Sequence, residues 1–274
     1  MLVCDYHLHT CFSYDADKAS TPDAMCLSAI NQGITDIAIT DHFECNEKDD
    51  AQYPLYDADA AEIAIREAQE KYKGKLNLTY GIEIGQANQC PDKAKALLES
   101  HKYEFVISAL HHPIFCPDFY FLRENTYEES EIDDFFKCYM QELSDCVDSM
   151  EQIDTVAHLT YMHRYINAGG RPFDFSKHKD IIAPFFEKII KRDIALEVNT
   201  SVLKYNSTFK FDLYHKELLS LYRECGGKLL TVGSDSHSPQ YVGNGIAHGI
   251  ELMKKIGFDK VTIVRNREKT QIKI

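Results

Sequence analysis

The chain has 274 residues, 44% of them hydrophobic, and a formal net charge of −13. It can build a substantial core, has no apolar run that could span a membrane, and carries a charge that repels the backbone of nucleic acids. Its nine cysteines include no C-x-x-C pair, and its amino terminus lacks a signal-peptide pattern, so we predict a cytoplasmic protein with reduced thiols rather than a disulfide framework.

Short apolar runs rich in β-branched residues alternate with helical runs along the chain. The first helical run has Thr21 as its N-cap, Pro22 at its first position and Gly33 just past its end, which are typical helix boundary signals. The predicted strands are residues 1–9, 34–42, 76–84, 103–112, 154–161, 194–201, 228–237 and 260–264. The predicted helices are residues 21–33, 57–74, 128–150, 179–193, 212–227 and 243–257.

Strands that alternate with helices predict a parallel sheet. Seven or eight such units in 274 residues favour a barrel over a doubly wound open sheet, and no glycine-rich nucleotide loop follows any strand. Without a low-complexity linker, we expect one α/β domain over residues 1–274. Residues 113–130 form a long aromatic insert of the kind that often serves as a lid, and residues 264–274 are expected to be a solvated end.

Metal-capable residues stand at the ends of seven consecutive predicted strands. The carboxyl ends of barrel strands converge on one face, and residues two apart on a strand share a side. A single histidine at a strand end is more often a core residue than a metal ligand, so the interpretation depends on the presence of such residues at many strand ends. We expect His101, His178, His215 and His248 to be surface or core residues. The strand-end residues are His7, His9, Asp41, His42, Glu83, His111, His112, His158, Glu197, Asn199, Asp235 and His237.

Imidazole and carboxylate ligands without thiolate suit Zn, Mn, Fe or Ni. So many candidate ligands exceed the needs of one ion and favour two or three ions with a bridging carboxylate. Grouped ions suit hydrolysis of a phosphate ester, because bound water loses a proton near neutral pH and the cations neutralise the nonbridging oxygens. An amidohydrolase barrel is the alternative, but it predicts a lysine at a strand end, and no strand end offers one.

The ordered motifs resemble those of the PHP (polymerase and histidinol phosphatase) superfamily, most of all its histidinol-phosphatase branch. The resemblance implies a distorted seven-stranded (β/α) TIM-like barrel, three divalent metal ions (Zn, Mn or Fe) and a histidinol-phosphate phosphatase of histidine biosynthesis. Its motifs are "HLH" at 7–9, "TDH" at 40–42, "GIEIG" at 81–85, "ISALHH" at 107–112, "AHL" at 157–159, "EVNTS" at 197–201 and "GSDSHSPQYVG" at 233–243.

The same resemblance assigns the metal ligands to three groups, with Glu83 bridging the first ion and the second. Some relatives carry histidine where Asp15 stands, and Asp17 is the alternative ligand. The first group is His7, His9, Glu83 and Asp235, the second is Glu83, His111 and His158, and the third is Asp15, His42 and His237.

For the reaction we expect in-line attack on phosphorus, with Arg164 stabilising charge on the phosphoryl oxygens. The alternative interpretation of Arg164 is that it forms an ion pair on the surface. Lys204 is the second candidate and stands where the branch often has arginine, although lysine lacks the arginine fork. Asp235 is a candidate both for metal ligation and for protonating the leaving alcohol. The expected substrate contacts are Arg164, Lys204, Asn199, His112, Asp118 and Glu124.

Of these expected substrate contacts, Asp118 and Glu124 are candidates for binding the amine of histidinol phosphate. His112 either supports the neighbouring ligand or is structural. Aromatic residues of the insert would flank the imidazole or pack the insert onto the barrel. Two other functions stay open, namely a PHP-type phosphoesterase for another small ester or nucleotide, and a metal-binding module without catalysis.

Overall fold

The computed structural model describes residues 4–46, 55–166, 172–204, 209–265 and 267–274. Parallel strands alternate with helices through most of this range. The strands of the central sheet are β1 (Cys4–Leu8), β2 (Asp36–Ile39), β3 (His42–Glu44), β4 (Asn77–Gly85), β5 (Phe105–Ala109), β6 (Thr155–Val156), β7 (Ala195–Asn199) and β8 (Leu230–Gly233). Predicted residues 1–3 of the first strand lie outside the described range.

The central sheet is a nearly closed barrel. Its order is β1-β2-β4-β5-β6-β7-β8, all neighbours are parallel, and β3 pairs with the second half of β4. The ends of the sheet meet where Leu8 bridges Ser236 and the His9 N–H donates to the Ser236 carbonyl at 2.9 Å. The predicted seven-stranded, distorted barrel is therefore confirmed, and all strand carboxyl ends face one side.

The helices cover the outside of the barrel. The Thr21 hydroxyl accepts from the Ala24 N–H at 3.2 Å, which confirms the predicted cap. Among the described residues, no helix is long and apolar enough to cross a membrane. The helices are α1 (Pro22–Asn31), α2 (Ala58–Tyr72), α3 (Pro91–Ser100), α4 (Phe119–Leu122), α5 (Glu129–Asp148), α6 (Tyr161–Tyr165), α7 (Lys179–Lys191), α8 (Phe211–Glu224) and α9 (Ile246–Ile256).

Most of the predicted strands are shorter in the structure, and two of them change in a way that bears on the site. The second is interrupted after Ile39, where the Thr40 N–H donates to the Leu8 carbonyl at 2.8 Å, and resumes as β3. The fifth shrinks to Thr155–Val156, because His158 takes a positive φ of 24° that a strand does not allow. Both breaks occur beside predicted ligands, so they set the direction of the functional side chains.

The carboxyl-terminal segment is a hairpin rather than the predicted solvated end. It consists of β9 (Lys260–Arg265) paired antiparallel with β10 (Glu268–Lys273). The Tyr6 hydroxyl donates to the Val264 carbonyl at 3.0 Å, and Arg265 forms an ion pair with Asp36 at the start of β2. The hairpin therefore covers the amino-terminal end of the barrel and leaves the opposite end free.

The four histidines expected to be surface or core residues lie apart from the strand ends. His101, His178 and His248 pair with Glu62, Asp133 and Asp212 respectively. His215 is buried in α8, its ring 4.1 Å from that of Phe211. Burial lowers its pKa to about 4 from an ordinary value of 6.5.

Lowering the pH should destabilise the protein through His215. Its folded pKa lies below the unfolded value, so the unfolded chain binds the proton first, and stability is lost from pH 6.5 down to about 4. Between pH 7 and pH 5 we expect the free energy of unfolding of the wild type to fall by about 2 kcal/mol relative to His215→Phe. Urea unfolding at the two pH values measures this, with His248→Asn as the exposed control. An equal loss in wild type and His215→Phe would contradict it.

Candidate metal centre

The barrel strands deliver histidine and carboxylate side chains to one end of the barrel, and Glu83 lies at the centre of them. Its Oε2 lies 3.2 Å from His7 Nε2 and 3.5 Å from His9 Nε2. Its Oε1 lies 3.0 Å from His158 Nε2 and 3.5 Å from His111 Nε2. One carboxylate thus stands between ligands predicted for the first ion and ligands predicted for the second.

The remaining predicted ligands extend the cluster toward the solvent. His9 Nε2 lies 3.4 Å from Asp235 Oδ1. His237 Nε2 lies 3.1 Å from Asp15 Oδ2 and 3.4 Å from His42 Nε2. The Asp15 side chain is 40% exposed, whereas that of Glu83 is fully buried. The third predicted group therefore forms the open side of the cluster.

Asp15, and not its alternative Asp17, faces the histidines. Asp17 is exposed, and its carboxylate accepts from the Ala19 N–H at 2.9 Å within its own loop. Asp15 Oδ1 lies 3.7 Å from His42 Nε2 on the other side of the same loop. The structure therefore favours Asp15 as the ligand.

The spacing of these atoms fits metal ligation better than hydrogen bonding. Two ligand atoms each about 2.05 Å from a tetrahedral zinc ion are about 3.3 Å apart, close to the separations around Glu83. Three of the buried atoms have no hydrogen-bond partner although they lie near one another: His7 Nε2, His9 Nε2 and Glu83 Oε2. Buried polar atoms of this kind need a partner, and a shared cation would satisfy all three. The groups with suitable geometry are His7, His9 and Asp235; His42, Glu83 and His111; and His9, His42 and His237.

The carboxylates and His9 have the charge states that bind a cation. At His7 and His42, burial is outweighed by nearby carboxylates, which hold the pKa well above its usual value, so these imidazoles must lose a proton when an ion binds. Burial would raise the pKa of Glu83, but the His7 and His42 imidazoles hold it well below its ordinary value. Burial also opposes ionisation of Asp235, and His7 and His9 likewise hold its pKa well below its usual range. Burial and the neighbouring His42 hold the pKa of His9 well below its usual value. Ionised carboxylates and a neutral imidazole are the ligand forms of these side chains.

Residues 5–201 match the family model of the PHP domain. The chain belongs to the PHP domain family. A probable histidinol-phosphatase of Clostridium acetobutylicum is 26% identical, covering 94% of this chain and 98% of that protein. A histidinol-phosphatase of Lactococcus lactis is 26% identical, covering 95% of this chain and 94% of that protein.

A solved structure has the same fold as this PHP domain protein. The crystal structure of histidinol phosphate phosphatase from Lactococcus lactis, complexed with zinc, L-histidinol and phosphate, matches with a TM-score of 0.83. The sequence identity is 22%, and 98% of each chain is covered. That structure carries zinc, and this chain brings together histidine and carboxylate groups that could hold a metal ion.

Two glutamates outside the nine predicted ligands contact histidines that are predicted ligands in this PHP domain protein. Glu197, noted in the sequence as a strand-end residue, lies 2.6 Å from His7 Nδ1. Gly233 faces this pair, and a Cβ there would overlap both His7 and Glu197. Glu44, which the sequence analysis missed, lies 2.7 Å from His111 Nδ1. Its signal is its position two residues after His42, on the same side of β3.

Arg164 lies beside Asp235 and Asn199 at the border of the cluster. Its guanidinium donates to the Asn199 side-chain oxygen at 2.8 Å and lies 3.4 Å from Asp235 Oδ2. The side chain is only 10% exposed, which excludes a surface ion pair. Lys204 reaches the backbone carbonyl of Asp235 at 3.5 Å. Both predicted cations therefore lie beside Asp235, and Asn199 holds Arg164 in place.

The insert contributes one of its two predicted carboxylates to this end of the barrel. Asp118 is buried, accepts from the Tyr161 hydroxyl at 2.9 Å and lies 3.9 Å from His112 Nε2. Glu124 lies on the surface of the insert, 3.3 Å from Arg123 and 85% exposed.

The aromatic residues of the insert have mixed surroundings. Phe119 is fully buried and packs against Tyr139 and Tyr161, as expected for residues that fasten the insert to the barrel. Phe121, in contrast, is 66% exposed. The insert is also partly helical, since α4 and the first turn of α5 lie within it. It is therefore an ordered cover fixed at Phe119.

Proposed function

We propose that this PHP domain protein hydrolyses L-histidinol phosphate to L-histidinol and phosphate, as a step of histidine biosynthesis. The observation that carries the proposal is that eight metal-capable residues, from both ends of the chain, gather around a ninth, the buried carboxylate of Glu83. Relatives named histidinol-phosphatase over at least 94% of this chain support the substrate. The nine free cysteines agree with a cytoplasmic location.

We propose that three divalent transition-metal ions, Zn, Mn or Fe, bind the three predicted groups of ligands. When bound, such ions lower the pKa of water and neutralise phosphoryl oxygens. We also propose that the chain acts as one domain over residues 1–274. In support, β8, which follows the segment matched by the family, closes the barrel on β1.

The role proposed for Arg164 is to bind the phosphoryl group of the substrate. Its guanidinium presents a planar fork of donors that suits phosphate oxygens. Asn199 and Asp235 hold this fork at the edge of the cluster, so it needs little reorganisation when charge develops. Asp235 keeps the role of metal ligand, since its Oδ1 lies 3.4 Å from His9 Nε2, and its second proposed role is to protonate the leaving alcohol.

The two ends of the substrate would contact different elements. Lys204 lies beside the Asp235 backbone and adds positive charge near the phosphate. Asp118 and His112 lie together on the insert side, where a buried carboxylate suits the amine of histidinol. Glu124 stays a weaker candidate for the amine, since its carboxylate faces the solvent beside Arg123.

The experiment that tests this function is phosphate release by the purified protein loaded with Zn, Mn or Fe in turn. We expect kcat/KM for L-histidinol phosphate to exceed that for 4-nitrophenyl phosphate and nucleoside monophosphates by at least about 100-fold, as differential binding of the correct substrate allows. EDTA should abolish the activity. Equal rates for all esters would indicate another phosphoesterase, and no hydrolysis by fully loaded protein would indicate a non-catalytic module.

A further inference from the structure

Glu44 is a buried carboxylate that contacts ligands from two of the proposed metal groups. Its side chain is fully buried. Its Oε1 lies 2.7 Å from His111 Nδ1 and 3.3 Å from His42 Nδ1. Its Oε2 accepts a hydrogen bond from Gln86 Nε2. No other role in the proposed reaction accounts for a carboxylate at this position.

The contacts of Glu44 determine which ring nitrogens face the ions. An imidazole that donates its Nδ1–H to a carboxylate must present the Nε2 lone pair. His111 Nε2 lies 3.1 Å from His158 Nε2, inside the second group. His42 Nε2 lies 3.4 Å from His237 Nε2, inside the third group. Glu44 thus faces the Nδ1 atoms of two histidines from different groups, and at His42 it does so together with Glu83, whose Oε2 lies 3.0 Å from the same nitrogen.

The surroundings of Glu44 keep its carboxylate in this place. Gly85 pairs with Glu44 across β3 and β4, and a Cβ at Gly85 would overlap the Glu44 carboxylate. Gln86 also accepts from the His111 N–H at 2.8 Å, so one carboxamide binds both His111 and Glu44. A side chain fixed on these sides cannot swing away from either imidazole.

We propose that Glu44 is a positioning residue that orients His111 and His42 together and so couples the binding of the second ion to that of the third. The inference rests on the proposed metal ions but not on the proposed substrate. Glu197 has the corresponding position for the ring of His7, a ligand of the first group, and its other oxygen accepts from the backbone N–H of His158, a bond that a glutamine oxygen can also accept. Glu44 therefore contacts histidines of the second and third groups, and Glu197 contacts the ring of a histidine of the first group. Each glutamate variant is a matched control for the other.

The test counts metal ions in Glu44→Gln and Glu197→Gln after dialysis against chelators of increasing strength. Glutamine keeps the shape of the Glu44 side chain, but it is neutral and places an amide group where the carboxylate accepts from Gln86 Nε2 and faces the two imidazoles. We expect two ions to bind about 10- to 100-fold more weakly in Glu44→Gln, as for other residues that support a metal-binding histidine, while one ion stays bound. In Glu197→Gln we expect weakening at the remaining ion. Thermal unfolding of each metal-free variant checks that the barrel is intact.

A second variant protects the test against a folding failure. Gln86→Met keeps the Glu44 charge and removes one of its hydrogen bonds, so the same two ions should weaken by a smaller factor. Normal metal content in Glu44→Gln, loss of a single ion, or parallel loss of all three ions would overturn the inference. A protein that shows the expected metal pattern but does not hydrolyse histidinol phosphate would contradict the proposed substrate alone.

Discussion

Replacing Glu83 with glutamine should remove most metal from the protein and lower kcat/KM by about a thousandfold or more, equivalent to about 4 kcal/mol of transition-state stabilisation. Glu83 is fully buried and lies within 3.5 Å of a ring nitrogen from each of five histidines. A neutral amide would leave these imidazoles without the negative charge that balances two cations. Elemental analysis and phosphate release from L-histidinol phosphate measure the two effects.

The matched control for Glu83→Gln is Glu62→Gln. Glu62 also pairs with a histidine, since its carboxylate lies 2.9 Å from His101 Nδ1, but the pair lies away from the strand ends. The control should keep wild-type metal content and activity. If Glu83→Gln bound metal as tightly as this control, Glu83 would not be the bridging ligand.

The sequence predicts the position of the cluster because strand geometry is local and regular. His7 and His9 lie on one side of a strand, and the same spacing relates Asp235 and His237. Parallel order then places both pairs at one end of the barrel, and the structure confirms this placement with His9 3.4 Å from Asp235. Parallel order therefore groups residues that are far apart in the chain, although His9, Asp235 and His237 lie just beyond the observed ends of β1 and β8.

Glu44 could not be identified in the same way, because its strand depends on distant pairing. The predicted second strand ended at His42, whereas β3 continues through Glu44 by pairing with the second half of β4. Helix α3 was missed for a related reason: Ala94 is its only buried residue, so it has little apolar periodicity. The hairpin β9–β10 depends on contacts with Asp36 and Tyr6 at the other end of the chain.

The backbone conformation at two of the proposed ligands also could not be predicted from the sequence. His158 has a φ of 24° and Asp235 a φ of 51°, both in the left-handed region. Such conformations cost about 1–3 kcal/mol each and persist where the surrounding structure holds them. The Glu197 carboxylate accepts from the His158 N–H at 2.8 Å and so holds one of them. The energetic cost of these two backbone conformations is consistent with a functional requirement for the direction of the His158 and Asp235 side chains.

Replacing Arg164 with alanine should lower kcat/KM by about 10²- to 10³-fold, the range expected when one preorganised charge-stabilising donor is lost, while metal content stays normal. Arg164 contacts Asp235 through Oδ2, whereas His9 approaches Oδ1, and Asn199 donates to Oδ2 at 3.2 Å, a bond that does not depend on Arg164. The metal ligands should therefore keep their places. Phosphate release and elemental analysis on the same preparation separate the two quantities.

Two further variants identify what Arg164 contributes. Arg164→Lys restores the charge but not the planar fork, so it should recover only a small part of the lost activity. Arg66→Ala removes a guanidinium that pairs with Glu104 on the outside of the barrel, and it should leave activity unchanged. Full recovery in Arg164→Lys would mean that charge alone is needed. Metal loss in Arg164→Ala in proportion to the activity loss would mean that Arg164 supports Asp235 and does not bind the phosphate.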